Sequence, residues 1–255
     1  MKKIAIVAAL AAAALATNPA SAGVVITQDQ SATGPFGEKK STQTIMIQGN
    51  KQKMVSKDRE VITDLDNNVM YLIDPAKKSY IQLPFPPTGP MAAAVAHSAG
   101  AMDFKKTEST EKVLGYSCTD YTGSGTSMGG QYTVTECFST GAPGAQEFTR
   151  FQKAMATKLK DIVPMSNTPD GIPLASSSTV QMSNMKLPDL TPEQQQKLQE
   201  QIAKVKPVLT KTTVSKVETK DLPADTFSVP SGFTERKLTL PPLPPSPAAS
   251  PGAPH

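Results

Sequence analysis

The chain has 255 residues, no tryptophan, two histidines, two cysteines and a formal net charge of +4. Two histidines exclude a His-based triad and a His-rich metal site, and two cysteines fall short of the three or four ligands zinc takes. A charge so near neutral, without a dense basic run, excludes nucleic acid as a partner.

The N-terminus, MKKIAIVAALAAAALATNPASA, places Lys2 and Lys3 before an apolar run over residues 4–16. That run is too short for a comfortable membrane span, and Ala20-Ser21-Ala22 supplies the small-x-small pattern of a signal peptidase site. Cleavage is expected between Ala22 and Gly23, giving a periplasmic or secreted protein. Removing Lys2 and Lys3 leaves 24 basic against 22 acidic residues, so the charge falls to +2.

From residue 24 the pattern alternates with period two. STQTIMIQGNKQKMVSK reads as two strands turning at Gly49-Asn50, and EVITDLDNNVMYLIDPAKKSYIQL as three more, turning at Asp66-Asn67 and Asp74-Pro75. Short strands at this spacing indicate an antiparallel meander. The acidic run at residues 64–68 faintly echoes a calcium loop but lacks its glycine and distal glutamate, so a hairpin turn accounts for it. MAAAVAHSAGAM follows as a helical turn or loop, and sheet resumes at Phe104.

The segment GYSCTDYTGSGTSMGGQYTVTECF contains both cysteines. It has no Lys-Ser or Lys-Thr after its glycines and is no phosphate loop. Without a Cys-x-x-Cys motif, and in an oxidising compartment, Cys118 and Cys137 are expected to form a structural disulfide. If they face each other, paired residues sum to 255, so Tyr121 meets Val134 and Gly123 meets Tyr132. This register puts the disulfide on the more polar side, opposite Tyr121, Val134 and Phe138. Closing such a loop contributes about 3 kcal/mol in the chain-entropy model.

GAQEFTRFQKAMATKLKDIV sets Phe148, Phe151, Met155, Leu159 and Ile162 on one helical stripe that buries against a sheet. Phe148, Phe151, Met155 and Leu159 are the candidate wall of an apolar pocket. Residues 171–182 are strand-like. A second helix begins at Thr191, with Pro192 at its first position and Gln194 completing a capping box. Its seam of Leu198, Ile202 and Val205 is narrow. Residues 208–220 form a last strand, one domain closes by residue 240, and the proline-rich residues 241–255 form a disordered tail.

YLIDPAKKSYIQL, EKVLGYSCTDYTG, GIPL and TVSKVETKDLPADTFSVPSGF, in this order, resemble the bacterial exported family called domain of unknown function 4412. The family is similar to periplasmic lipoprotein carriers. The resemblance implies an α+β fold: a curved antiparallel sheet, or half-barrel, with helices on its concave face and an apolar cavity between. It brings no catalytic residues. The family's facing strand often has a tryptophan near position 137, where this chain has Cys137-Phe138. The acyl-handling residues of the carriers find no match, so their chaperone role is not transferred. The expectation is a non-catalytic protein without cofactor that binds a lipid or other apolar ligand. The alternative is an envelope structural or interaction module with a protein partner, suggested by the tail and the Gln-rich helix.

Overall fold

The computed structural model describes residues 22–35, 37–98, 103–127, 130–163, 168–182 and 191–238. The signal segment before Ala22 and the tail at 241–255 lie outside the described residues.

The meander forms where the alternation places it: β1 (Gly23–Gly34), β2 (Gly37–Gln48), β3 (Lys51–Val55), β4 (Glu60–Asp64), β5 (Val69–Asp74) and β6 (Ser79–Pro84). Gly49, at φ 63°, turns β2 into β3, and Asn68, at φ 53°, closes the turn into β5. The acidic run is that turn. Asp64 accepts backbone N–H bonds from Asp66 and Asn67, each 3.0 Å, and pairs with Lys51 at 2.9 Å.

Helix α1 (Gly89–Ser98) leads to β7 (Lys105–Val113), β8 (Tyr116–Ser127) and β9 (Gly130–Ser139). Leu114 and Gly115 connect β7 to β8 with φ of 53° and 83°, so both take the left-handed conformation of a tight hairpin. Helix α2 (Ala145–Leu159) precedes β10 (Ile172–Met182), and α3 (Pro192–Ile202) precedes β11 (Val208–Lys220). The α2 stripe stops at Leu159, leaving Ile162 in the following turn. The capping box of α3 is present, with Thr191 and Gln194 reciprocally bonded. A helical turn, Ala224–Phe227, then leads to the two-residue β12 (Thr234–Glu235).

All twelve strands join one open sheet, in the order β12-β6-β5-β4-β3-β2-β1-β11-β10-β9-β8-β7. Every pairing is antiparallel except β12 on β6, which the sequence pattern did not anticipate. The strand β11 docks on β1, so the two meanders, β1–β6 and β7–β11, meet at the centre.

The sheet buries both sides. On one, Val24, Ile26, Ile47, Leu174 and Val214 pack with Phe148 and Phe151 of α2. On the other, Val25, Ile62 and Ile73 pack with Leu222 and Phe227 of the C-terminal segment. Adjacent residues Val24 and Val25 thus serve opposite cores, as strand alternation requires.

Three contacts fix α2 across one end of the sheet. Glu147 Oε1 accepts from Gly49 N (2.6 Å), Lys158 Nζ donates to Asn68 Oδ1 (2.6 Å), and Thr149 Oγ1 accepts from Gly171 N (2.8 Å). The last two anchors lie five to six strands apart, roughly 25–30 Å on a flat sheet. Thr149 and Lys158 are only about 14 Å apart along the helix axis. The sheet curls to meet both.

Cys118 and Cys137 are disulfide-bonded, with Cα atoms 5.2 Å apart. Their ladder differs from the expected register: Thr119 faces Phe138, Asp120 faces Cys137, Tyr121 faces Glu136 and Gly123 faces Val134, so pairs sum to 257. The expectation treated the cysteines as direct partners. Cys118 instead lies one residue beyond the last ladder pair, and the bond runs diagonally. The disulfide lies on the expected side of the hairpin, with Thr122, Thr133 and Thr135 and opposite Tyr121, Val134 and Phe138. Both cysteines are buried within the larger core cluster. Their side of the hairpin is polar only toward the loop, where Thr122, Thr133 and Thr135 are exposed.

Candidate functional site

Among the sequence-derived candidates, Phe148 and Phe151 are buried in the core beneath α2, while Met155 and Leu159 are half-buried and packed against it. The structure brings these four together at one end of the sheet. Ala22 is exposed and Gly23 opens β1. Glu111 approaches the two cysteine sulfurs closely enough for a metal cluster, but each sulfur is bonded to the other, leaving one carboxylate.

The larger feature is the side of β1 and β8–β11 that the ladder register carries on from Ile26 and Val214; at the register shift between Pro173 and Ala175 the α2-side cluster also takes in Cys118, Cys137 and Ala175 from the alternate positions. Direct ladder partners share a side, so the register defines transverse rows. The first contains Gln30, Thr212, Ser176, Glu136 and Tyr121. Two residues further along each strand come Ala32, Thr210, Ser178, Val134 and Gly123. The next row holds Val208, Val180, Tyr132 and Gly125, with Met182 beyond. A methyl group built on Gly34 would meet Val208 Cγ2 at 3.1 Å, so β1 closes this row with a residue that leaves Val208 room.

The two sides of these strands differ in shelter. Gln30, Ala32, Thr210, Thr212, Ser176, Ser178, Glu136 and Tyr132 are half-buried, although most are polar. On the reverse side, Thr133, Thr135, Lys211, Thr213, Thr122 and Ser124 are exposed, while Ser31 of β1 and Ala175, Ser177 and Thr179 of β10 are half-buried. At the far end, Val180 and Met182 are each 40% exposed and Val208 is 36% exposed. The side therefore runs from an apolar end at α2, through a hydroxyl-rich band, to an open apolar end.

Aromatic rings wall one flank. Phe138 makes edge contacts with Phe104 (5.9 Å between centroids) and Tyr121 (5.6 Å). Glu136 stands on this same side, two residues from both Phe138 and Val134. Burial pushes its carboxyl above the usual range, and a hydrogen bond from Ser176 Oγ (3.4 Å) partly opposes that rise. The sequence reading placed Tyr121, Val134 and Phe138 on one side and overlooked Glu136 between them. The signal was there: in TVTECF, a glutamate occupies the alternation position of the apolar residues.

Two other depressions are more polar. A cleft of about 490 Å³ beside the outward side of α2 is lined by Gln146, Arg150 and Lys153, with Lys153 paired to Asp170 at 2.7 Å. A groove of about 880 Å³ on the reverse of the far end is lined by Lys40, Lys57 and Lys211 together with Asp29 and several hydroxyls. None of the four wall candidates lines either.

Solved structures offer distant likenesses only. PNGF-II in its C2 space group is 10% identical with TM-score 0.42; the match covers 86% of this chain and 31% of PNGF-II, so this chain spans about a third of that protein. The putative outer membrane lipoprotein-sorting protein domain from Vibrio parahaemolyticus is 9% identical (TM-score 0.33, 81% of this chain and 89% of that one). The LolA superfamily protein NE2245 from Nitrosomonas europaea is also 9% identical (TM-score 0.30, 82% and 91%). Likenesses this remote carry no argument about activity. No curated protein matches the chain. The family model of domain of unknown function DUF4412 matches residues 29–187, from within β1 to just past β10 and more than half of the chain, and the protein belongs to that family.

Proposed function

We propose that this is an exported, non-catalytic carrier that shelters a lipid or other apolar ligand against the α2 side of β1 and β8–β11. In this reading that side is the concave face of a half-barrel, and α2 closes one end of its trough with Phe148, Phe151, Met155 and Leu159. The observation that carries it is the asymmetry of shelter on β9 and β11: Tyr132, Glu136, Thr210 and Thr212 are half-buried and Val134 is buried on this side, while Thr133, Thr135, Lys211 and Thr213 on the reverse are exposed. Apolar rows separated by hydroxyls suit an elongated ligand with a polar part, because ligand sites combine apolar walls with a few placed polar groups. Export follows from the leader, cut between Ala22 and Gly23, and the disulfide fits an oxidising compartment. Native mass spectrometry of the protein released from the periplasm tests the carrier. A co-purifying apolar molecule is expected; protein that emerges bare, and that does not brighten N-phenyl-1-naphthylamine, would contradict it.

A further inference from the structure

Glu136 has no evident structural task. Among the described residues, its one hydrogen-bonding partner is Ser176, at 3.4 Å, and none of the described ion pairs includes it. From β8 it is faced by Tyr121, from β10 by Ser176, and along β9 by Val134 and Phe138. None of these is basic. Lys106 of β7, the ladder partner of Tyr121, shares the side two strands away but forms none of the described ion pairs with Glu136, and Lys211 of β11, equally far, lies on the reverse side. A sheltered carboxylate among aromatic and aliphatic groups incurs a desolvation cost that a counter-charge would relieve.

The rest of the side says what shape brings that charge. From the Glu136 row to the Val208–Val180–Tyr132 row is four residues of strand, about 13 Å. An apolar chain laid toward the far end reaches Val180 and Met182 while its polar end meets Glu136.

We infer that Glu136 makes the trough selective for amphiphiles whose polar end is a protonated amine. This rests on the carrier reading above. A protonated amine gains a charge-assisted hydrogen bond in a sheltered site, a neutral alcohol gains an ordinary one, and a carboxylate is repelled. Long-chain amines therefore bind most tightly and free fatty acids least.

Calorimetric titration of the full exported chain at neutral pH, with each probe below its aggregation concentration, tests the order. Dodecylamine should bind at least tenfold more tightly than dodecanol, and dodecanol more tightly than dodecanoate. Glu136→Gln should bring dodecylamine down to the level of dodecanol and leave dodecanol unchanged. The ranking on the native chain stands without the variant, so a misfolded variant would not rescue the idea. If dodecanol binds and dodecylamine binds no better, the selectivity is wrong and the carrier stands. If none of the three binds, both readings fall.

Discussion

Two carboxylates show how one residue type serves opposite ends in this protein. Asp64 is buried yet its carboxyl is held below the usual range: burial opposes this, but the hydrogen bond from Lys51 and those from Asn67 outweigh it. A depressed carboxyl stabilises the fold above its ordinary value near 3.8, and that contribution is lost as pH falls through the lowered one. Asp64→Ala should therefore cost about 1–3 kcal/mol at neutral pH, read as a lower unfolding midpoint, with the deficit shrinking in acid. Glu136 runs the other way. Its raised carboxyl means the folded state takes up a proton more readily than the unfolded one, so ionisation at neutral pH weakens the fold. Glu136→Gln should raise the thermal midpoint at pH 7, and the gap should close as pH drops below about 4. Such a gain in stability at the expense of binding is the usual mark of a functional residue. Leu114 is a third case, since its φ of 53° is unfavourable for a leucine, and its side chain is 47% exposed. Leu114→Asn should stabilise the β7–β8 turn by roughly 1 kcal/mol in chemical denaturation.

At the scale of elements, α2 is held by few groups, and Glu147 is central among them. Its buried carboxylate joins Gly49 N and Arg150 Nη2, tying the helix to the β2–β3 turn. Glu147→Ala should cost about 1–3 kcal/mol and speed hydrogen exchange in α2 before it does so in β1 or β11. Across the sheet, the Cys118–Cys137 bond staples β8 to β9; replacing both by alanine should cost about 3 kcal/mol, and thiol labelling of the native chain should find neither free. Most elements were legible in the sequence because their signals are local. Gly49, Asn67 and Pro75 mark turns, Thr191 to Gln194 mark a helix start, and Phe148 to Leu159 keep a helical period. What escaped depends on geometry between strands. The two-residue slip of the β8–β9 register preserves which residues share a side, so alternation cannot detect it. The cysteines, set among threonines, read as the more polar side, and their burial in the cluster that includes Ala142 leaves no trace in the alternation. The docking of β12 beside β6 rests on two residues and leaves no periodic trace.

The described residues form a curved, open sheet of twelve strands, with α2 packed across one end of one side. One side of its C-terminal half is sheltered beyond what α2 alone covers, and its row structure emerges only when β11 returns to pair with β1. This is why the candidate wall derived from the helix stripe captures one end of the trough and misses the sheet rows that continue it. The carrier reading requires an apolar chain to lie along those rows. A dodecyl probe bearing a photoreactive diazirine near its tail tests that placement most directly, with the modified residues located by tandem mass spectrometry. Modification is predicted at Tyr132, Val134, Val180 and Met182, and not at Thr133, Thr135 or Lys211 on the reverse side of the same strands. Equal labelling of both sides, or none on these strands, would contradict the account.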